Sequence, residues 1–409
     1  MEYRTSSKIK DKLSILGFGC MRLPEKGGKI DESRATKQIH YAIEHGVNYF
    51  DAAMPYHMGA CEPFLGKCLD GGYREKVKIA TKMPHWFVKN YQDLEKLFST
   101  QMKNLHTDCI DYYLIHNMNF ENWKKLKSLN ILKFIEDLKK SGRIRYFGFS
   151  SHISTDEFKN IIDDYDWDFC QIQYNYLDEK NQAGTDGLKY ASSKGLAIMI
   201  MEPLRGGALA KAPNEVKKIF DKSEYKRTPA EWAFRWLWNH PEITVVLSGM
   251  NDESHIDENI KTASTSKPNS MSNEELEIVN QARDTYRKLM KVSCTGCRYC
   301  VPCPFGVNIP RCFELYNGKY IGTGFASGNP TIEYIISVGD VFSGGKPGYA
   351  SQCKNCNRCV KKCPQHLPIP KHLSDVKNEF EGFTFPIMKF VVKNYLKFDR
   401  WRNVRKGRA

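Results

Sequence analysis

The sequence has no uninterrupted apolar run of roughly 18 residues, so no membrane-spanning helix is expected. Its opening residues, Met1-Glu2-Tyr3-Arg4-Thr5-Ser6, carry charge but no apolar stretch after it, unlike a secretory signal. A glycine-rich dinucleotide fingerprint is also missing. Gly17-Phe18-Gly19-Cys20-Met21 holds only two glycines and runs into Arg22-Leu23-Pro24, a poor helix start. With 41% hydrophobic and 26% charged residues, the chain is neither disordered nor collagen-like. Cysteine is sparse at first: only Cys20, Cys61, Cys68, Cys109 and Cys170 precede residue 290, and the other nine of fourteen lie between Cys294 and Cys363. The leaderless start points to the cytoplasm, where a dense cysteine cluster reads as metal binding rather than disulfides.

What is present alternates. Short apolar runs, many β-branched or aromatic, occur at 15–19, 47–51, 78–82, 110–116, 144–150, 169–174, 196–201 and 244–249. Helix-length stretches with 3.6-residue spacing separate them, at 33–45, 93–105, 129–140, 157–162 and 228–239. Thr228-Pro229 is a start signal, an N-cap followed by proline. Eight strands alternating with helices in about 250 residues predict an α/β fold of the (β/α)8 TIM-barrel type rather than a doubly wound sheet. Ser272 and Glu275 form a capping-box pattern that opens one further helix, 272–290. The expected division is a barrel over 1–290, a small ferredoxin-like iron–sulfur domain over 291–375 and a basic tail over 376–409. The glycine-rich stretch 323–349 is expected to be a loop.

The cysteines fall in two runs. Cys294, Cys297, Cys300 and Cys303-Pro304 form the first; Cys353, Cys356, Cys359 and Cys363-Pro364 form the second. The second has the bacterial ferredoxin spacing C-x2-C-x2-C-x3-C-P, and the first is one residue short in its last gap. Both continue to a similar end, Asn308-Ile309-Pro310 and Pro368-Ile369-Pro370, an internal repeat offset by 60 residues. Three thiolates at x2 intervals let one loop wrap three corners of a cubane; the fourth must come from elsewhere. In two-cluster ferredoxins the other run supplies it. Carried over, Cys294, Cys297, Cys300 and Cys363 bind one [4Fe–4S] cluster, and Cys353, Cys356, Cys359 and Cys303 bind the second. Structural zinc is the alternative, but it uses two C-x2-C pairs per site rather than triplets followed by C-P. Cys312 reads as a small hydrophobe beside Phe313 and Leu315.

Four barrel residues share one address. Asp51 ends the second strand, Tyr56 follows in its loop, Lys82 ends the third strand and His116 the fourth. All four are expected on the C-terminal face, where barrel enzymes keep their active sites. Over roughly residues 3–265 the chain resembles the aldo-keto reductase family. The match rests on Phe50-Asp51-Ala52-Ala53-Met54-Pro55-Tyr56, Ile79-Ala80-Thr81-Lys82, Asp111-Tyr112-Tyr113-Leu114-Ile115-His116, Gly148-Phe149-Ser150, Gln171-Ile172-Gln173-Tyr174-Asn175, Pro203-Leu204-Arg205-Gly206-Gly207 and Glu258-Asn259. With its cysteine runs it is similar to the ferredoxin-fused branch.

The resemblance implies reduction of an aldehyde or ketone by NADPH or NADH. Tyr56 would protonate the carbonyl oxygen. Lys82, a nearby cation, would lower the phenol from its usual pKa of ~10. Asp51 would hold Lys82, and His116 would orient the carbonyl. Ser150 and Gln173 would hold the nicotinamide carboxamide. Met201, Leu204, Arg205 and Gly249 would line the cofactor site, and Glu258 and Asn259 would meet the adenine. Ser151 and Met201 depart from the usual asparagine and stacking aromatic. His255 stands where a cation often reads the 2′-phosphate, with Arg205 as a substitute.

Hydride carries two electrons and iron–sulfur clusters one, so a flavin enters as an alternative cofactor. Two rival readings follow: an iron–sulfur electron-transfer protein using the barrel as scaffold, and a noncatalytic binding protein with structural clusters. From Lys389 the chain holds eight Lys/Arg and one Asp. Met388, Val391, Val392, Tyr395 and Phe398 share one helical stripe there, with Lys389, Lys393, Lys397 and Arg400 on another face. The reading favours a helix packed on the protein over peripheral membrane contact, keeps an acidic ferredoxin as a redox partner, and excludes nucleic acid because no binding motif accompanies the charge.

Overall fold

Short apolar runs bounded by helices bury themselves best when the strands pair side by side and the helices cover their outer faces. The computed structural model shows that solution. It describes residues 1–294, 300–321, 328–339, 346–363 and 367–405, with side chains of the last helix described as far as Tyr395. The chain divides into two units, Met1–Arg205 with Arg227–Val279, and Gly206–Lys226 with Asn280–Ala409.

In the first unit eight strands pair in parallel and in sequence order: β1 (Leu16–Gly19), β2 (Tyr49–Asp51), β3 (Lys78–Met83), β4 (Ile110–Ile115), β5 (Ile144–Ser151), β6 (Phe169–Gln173), β7 (Ala197–Met201) and β8 (Val245–Ser248). The last pairs with the first, closing the barrel. Every predicted strand is present. The helices are α1 (Glu32–Glu44), α2 (Cys61–Cys68), α3 (Tyr91–Asn104), α4 (Phe120–Ser128), α5 (Ile131–Lys140), α6 (Thr155–Asp163), α7 (Gly184–Ser193), α8 (Asn214–Lys222), α9 (Pro229–Trp238), α10 (Glu253–Thr265) and α11 (Asn273–Leu289). Of these, α8 belongs to the second unit, and α11 passes from the first unit to the second after Val279.

The barrel interior is a packed core: Tyr49, Ala80, Tyr112, Leu114, Phe169, Ala197, Met199, Val245 and Leu247 fill it. Gly148 belongs to this economy of space. A Cβ there would lie 2.4 Å from the Phe169 carbonyl oxygen. An N-terminal hairpin, Tyr3–Ser6 paired with Ile9–Ser14, adds Ile9 and Leu13 to the same core. Its Asp11 accepts a 3.2 Å bond from the Tyr112 hydroxyl on β4. The sequence reading did not anticipate this hairpin.

The start signals behave as expected. Thr228 Oγ1 accepts from the Glu231 amide at 3.1 Å, with Pro229 opening α9. Ser272 and Glu275 form the reciprocal capping box, at 3.1 and 2.7 Å. The helix expected over 129–140 is α5, which begins at Ile131 after Asn130 takes a left-handed φ of 59°; α4, ending at Ser128, was not anticipated. Asparagine tolerates that conformation, so it can separate the two helices.

The second unit has its own apolar core. Its further helices are α12 (Ile309–Ile321), α13 (Pro330–Val338), α14 (Arg358–Lys361), α15 (Ile369–Phe380) and α16 (Phe385–Arg405). The internal repeat becomes a helix pair: α12 and α15 both open on Ile-Pro and share Ile309, Phe313, Ile369 and Leu373 as buried core. Asn317 on α12 ties down the start of the unit, accepting from the Val292 amide at 2.9 Å and donating to its carbonyl at 2.6 Å. The loop expected over 323–349 is corrected by α13. Asn329 caps this helix through the Thr331 and Ile332 amides, and Pro330 follows at the first turn. Glycine content on both sides masked that signal; residues 323–327 and 340–345 lie outside the described residues.

Candidate active site

Parallel register sets the height of each side chain. Asp51 at the end of β2 pairs with Ala80 on β3; Lys82 stands two residues higher on the same inward face. Met83 pairs with Ile115, so His116 is the first residue beyond β4. The three predicted strand-end residues therefore meet at the C-terminal mouth.

Lys82 and Asp51 are both buried. The Lys82 ammonium donates to the two Asp51 carboxylate oxygens at 2.7 and 2.6 Å and to the Ala52 carbonyl at 2.9 Å. Burial disfavours the Lys82 cation, but Asp51 and Tyr56 more than offset it and hold its pKa above the usual lysine range. Burial pushes the Asp51 carboxyl up while Lys82 draws it down. The two-oxygen contact on one ammonium favours the ionised pair.

The Lys82 ammonium lies 4.8 Å from the Tyr56 ring centroid. The loop that carries Tyr56 is unusual: His57 and Met58 both hold left-handed φ values, 50° and 55°. Such strain persists only where neighbours over-determine it. Here the His57 ring accepts the Leu23 amide at Nε2 (3.2 Å) and donates from Nδ1 to Glu25 (3.0 Å). The expected lowering of the Tyr56 phenol by Lys82 is outweighed by burial, and its net displacement is upward. His116 is pushed down to about 3, first by burial and then by Lys82, His85 and His152. Its ring lies edge-on to Tyr56 at 6.3 Å.

Residues that the sequence reading did not single out complete the mouth. The half-exposed Trp86 ring sits 5.2 Å from His116. Behind Lys82, Glu62 on α2 accepts from Thr81 (2.6 Å) and Gln101 on α3 (2.7 Å), and Gln101 also donates to the Lys82 carbonyl (3.0 Å). The spacing between Glu62, Thr81 and Gln101 gives no local pattern that could have revealed this.

The expected cofactor residues are placed unevenly. Ser150 Oγ accepts the Asn117 amide at 2.9 Å. Gln173 donates to Asp178 at 2.9 Å and accepts from Gln182. Gln171, two residues earlier and facing the interior like Phe169, has a buried Oε1 with no partner and only a 3.8 Å contact from Nε2 to Met201. His116 Nδ1 and Ser151 Oγ are likewise buried without a partner. These orphaned atoms fit a polar planar amide at the mouth, and they favour Gln171 over Gln173. Leu204 is half-buried after β7, and Arg205, at a left-handed φ of 48°, pairs with Asp178 at 3.2 Å. Gly249 follows β8, exposed. Glu258 accepts from Thr228, and Asn259 donates to Ser248 at 3.1 Å, so both are engaged within the protein.

In the second unit Cys294, Cys300, Cys303, Cys353, Cys359 and Cys363 pack half-buried against the apolar core, and Cys356 is exposed. Cys297 lies outside the described residues. Burial, then the nearby Cys353 and Cys356, pushes the Cys359 thiol up, as expected of neighbouring thiols in one loop. Among the described residues no three His, Cys, Asp or Glu side chains gather closely enough to hold a metal ion. The donor set is all sulfur, the chemistry iron–sulfur clusters require. Cys312 is fully buried in the core, its thiol 3.7 Å from the Gly348 carbonyl.

Residues 15–281 match the model of the aldo/keto reductase family, and residues 293–367 match that of the 4Fe-4S dicluster domain. The chain is 24% identical over 311 residues to L-galactose dehydrogenase of Arabidopsis thaliana, covering 71% of this chain and 96% of that protein. It is 25% identical over 265 residues to an aldo-keto reductase of Schizosaccharomyces pombe whose name specifies NADP(+), covering 60% and 74%. An aldo-keto reductase from Bacillus halodurans, solved in its holo form, superposes with a TM-score of 0.58 at 24% identity, covering 69% and 96%. One from Klebsiella pneumoniae, solved with NADPH, gives 0.55 at 18%, covering 66% and 92%.

Proposed function

The chain belongs to the aldo/keto reductase family and carries a C-terminal 4Fe-4S domain, and from that premise we propose that it reduces an aldehyde or ketone with NADPH or NADH. The observation that carries the reading is the meeting of Asp51, Lys82, Tyr56 and His116 at one barrel mouth. A nicotinamide held there supplies hydride. Gln171 would hold its carboxamide, with Ser150 and Ser151 beside it.

The chain's own residues do the rest. Tyr56 donates its phenolic proton to the carbonyl oxygen as charge develops there. Lys82, kept cationic by Asp51, stabilises the phenolate left behind. His116, neutral at working pH, offers a hydrogen bond that orients the carbonyl rather than a proton. Trp86 excludes water from one side. The eight cysteines of the two runs would hold two [4Fe–4S] clusters. The domain limits are those of the composition: barrel to 290, cluster domain to 375, basic helix beyond. A dense cysteine cluster that binds metal rather than forming disulfides favours the cytoplasm.

Tyr56→Phe tests the assignment. Carbonyl reduction is expected to fall at least a hundredfold, while iron and sulfide content stay unchanged. Turnover near that of the parent enzyme would remove Tyr56 from the reaction.

A further inference from the structure

The last helix has two apolar faces. Phe385 is buried and Met388 and Val392 pack against the core of the second unit, with the Phe385 ring 5.3 Å from Tyr349. The single stripe expected from the sequence is therefore split. Val391 and Tyr395, expected beside Met388 and Val392, point to solvent instead. They join Ile387, Phe390 and the preceding Phe383 in a ridge whose members are 57, 65, 64, 69 and 97% exposed, in that order. On a turn of 3.6 residues, positions 387, 390, 391 and 395 fall on one side. Lys389 and Lys393 fall between that ridge and the packed face. The chain from Lys389 onward carries eight Lys/Arg against one Asp, half of the protein's +14.

We propose that this helix lies on an anionic lipid bilayer, with Ile387, Phe390, Val391 and Tyr395 seated among the acyl chains and the basic residues at the phosphate layer. Four large apolar side chains exposed on one helix, with Phe383 just before it, are costly in water, and soluble surfaces rarely keep such a ridge contiguous. The ridge is convex and made of side chains of unlike shape. A bilayer accepts that shape without a matching groove, and its negative surface answers the concentrated positive charge. Aromatic residues beside lysines suit the interfacial depth, where one end of the side chain is dry and the other wet. No helix among the described residues is long and apolar enough to cross a membrane, so the contact is peripheral.

The test is co-sedimentation of the full-length protein with phosphatidylcholine vesicles containing about 30% phosphatidylglycerol, against phosphatidylcholine alone. Binding is expected to be at least about tenfold stronger to the anionic vesicles, to weaken with salt, and to drop about tenfold or more in Phe390→Ser/Val391→Ser. Both substituted residues are exposed, and an unchanged circular dichroism spectrum shows that the variant folds. Absence of binding to anionic vesicles overturns the proposal. So does binding indifferent to the double substitution, which is charge adsorption alone. A concentration-dependent dimer abolished by the same substitutions, or an acidic protein held in preference to vesicles, assigns the ridge to another occupant and overturns it as well.

Discussion

At the scale of single residues, the mouth of the barrel sets a pH dependence. Burial holds the Tyr56 phenol above its ordinary value of ~10, so it keeps its proton throughout the usual assay range. His116, pushed down to about 3, stays neutral at every pH above that and gives no acid limb near ~6.5. The expected kcat/KM profile for carbonyl reduction is flat between these limits and falls only in strong alkali, as the phenol ionises. A limb near pH 6.5 would mean that His116 titrates in turnover. A limb well below pH 10 would mean that Lys82 governs the phenol more than burial does. The types and positions of the four residues were legible in the sequence, because each lies at or just beyond a strand end. The sign of the Tyr56 shift was not, since it depends on how deeply the phenol is covered.

At the scale of elements, α2 and α3 hold the lysine in place through a buried polar knot. Glu62 joins Thr81 and Gln101, and Gln101 reaches both the Lys82 carbonyl and the Tyr113 hydroxyl. Replacing Glu62 with leucine leaves two buried donors unmatched, which costs about 2–4 kcal/mol. Denaturant unfolding of Glu62→Leu should show that loss together with a reduced kcat, while Glu62→Gln, which still accepts hydrogen bonds, should retain most of both. Equal stability for Glu62→Leu and the parent protein would show the knot to be dispensable. Strand runs were readable because apolar clustering is local. Elements whose burial depends on distant partners escaped: the N-terminal hairpin, α4 and α13.

At the scale of the whole molecule, two electron currencies share one chain. On the proposed function the four residues at the barrel mouth handle a hydride pair, whereas an iron–sulfur cluster passes single electrons. An anaerobic visible spectrum titrated with NADPH reads whether they communicate. Bleaching of the broad cluster absorption is expected if nicotinamide and clusters are coupled, and it would call for a flavin or another two-to-one converter in the protein. Absorption unchanged by NADPH would leave the clusters to another donor, such as an acidic ferredoxin. Iron and sulfide analysis checks the ligand reading in the same sample: Cys359→Ala should lose one cluster and keep the other. Full iron in that variant would remove Cys359 from the ligand set.

By itself the sequence determined the barrel, the cysteine motifs and the placing of Asp51, Lys82 and His116 at strand ends. Those depend on short-range features: strand-length apolar runs, thiol spacing, and residue type at a strand end. Tertiary structure decided what needs two distant segments at once. It committed Gln173 to Asp178 and Gln182 and left Gln171 with an unmatched oxygen. It raised the Tyr56 phenol by enclosing it. It also split the last helix into a packed face and an exposed one, because only the position of a core can say which side of an apolar helix is covered.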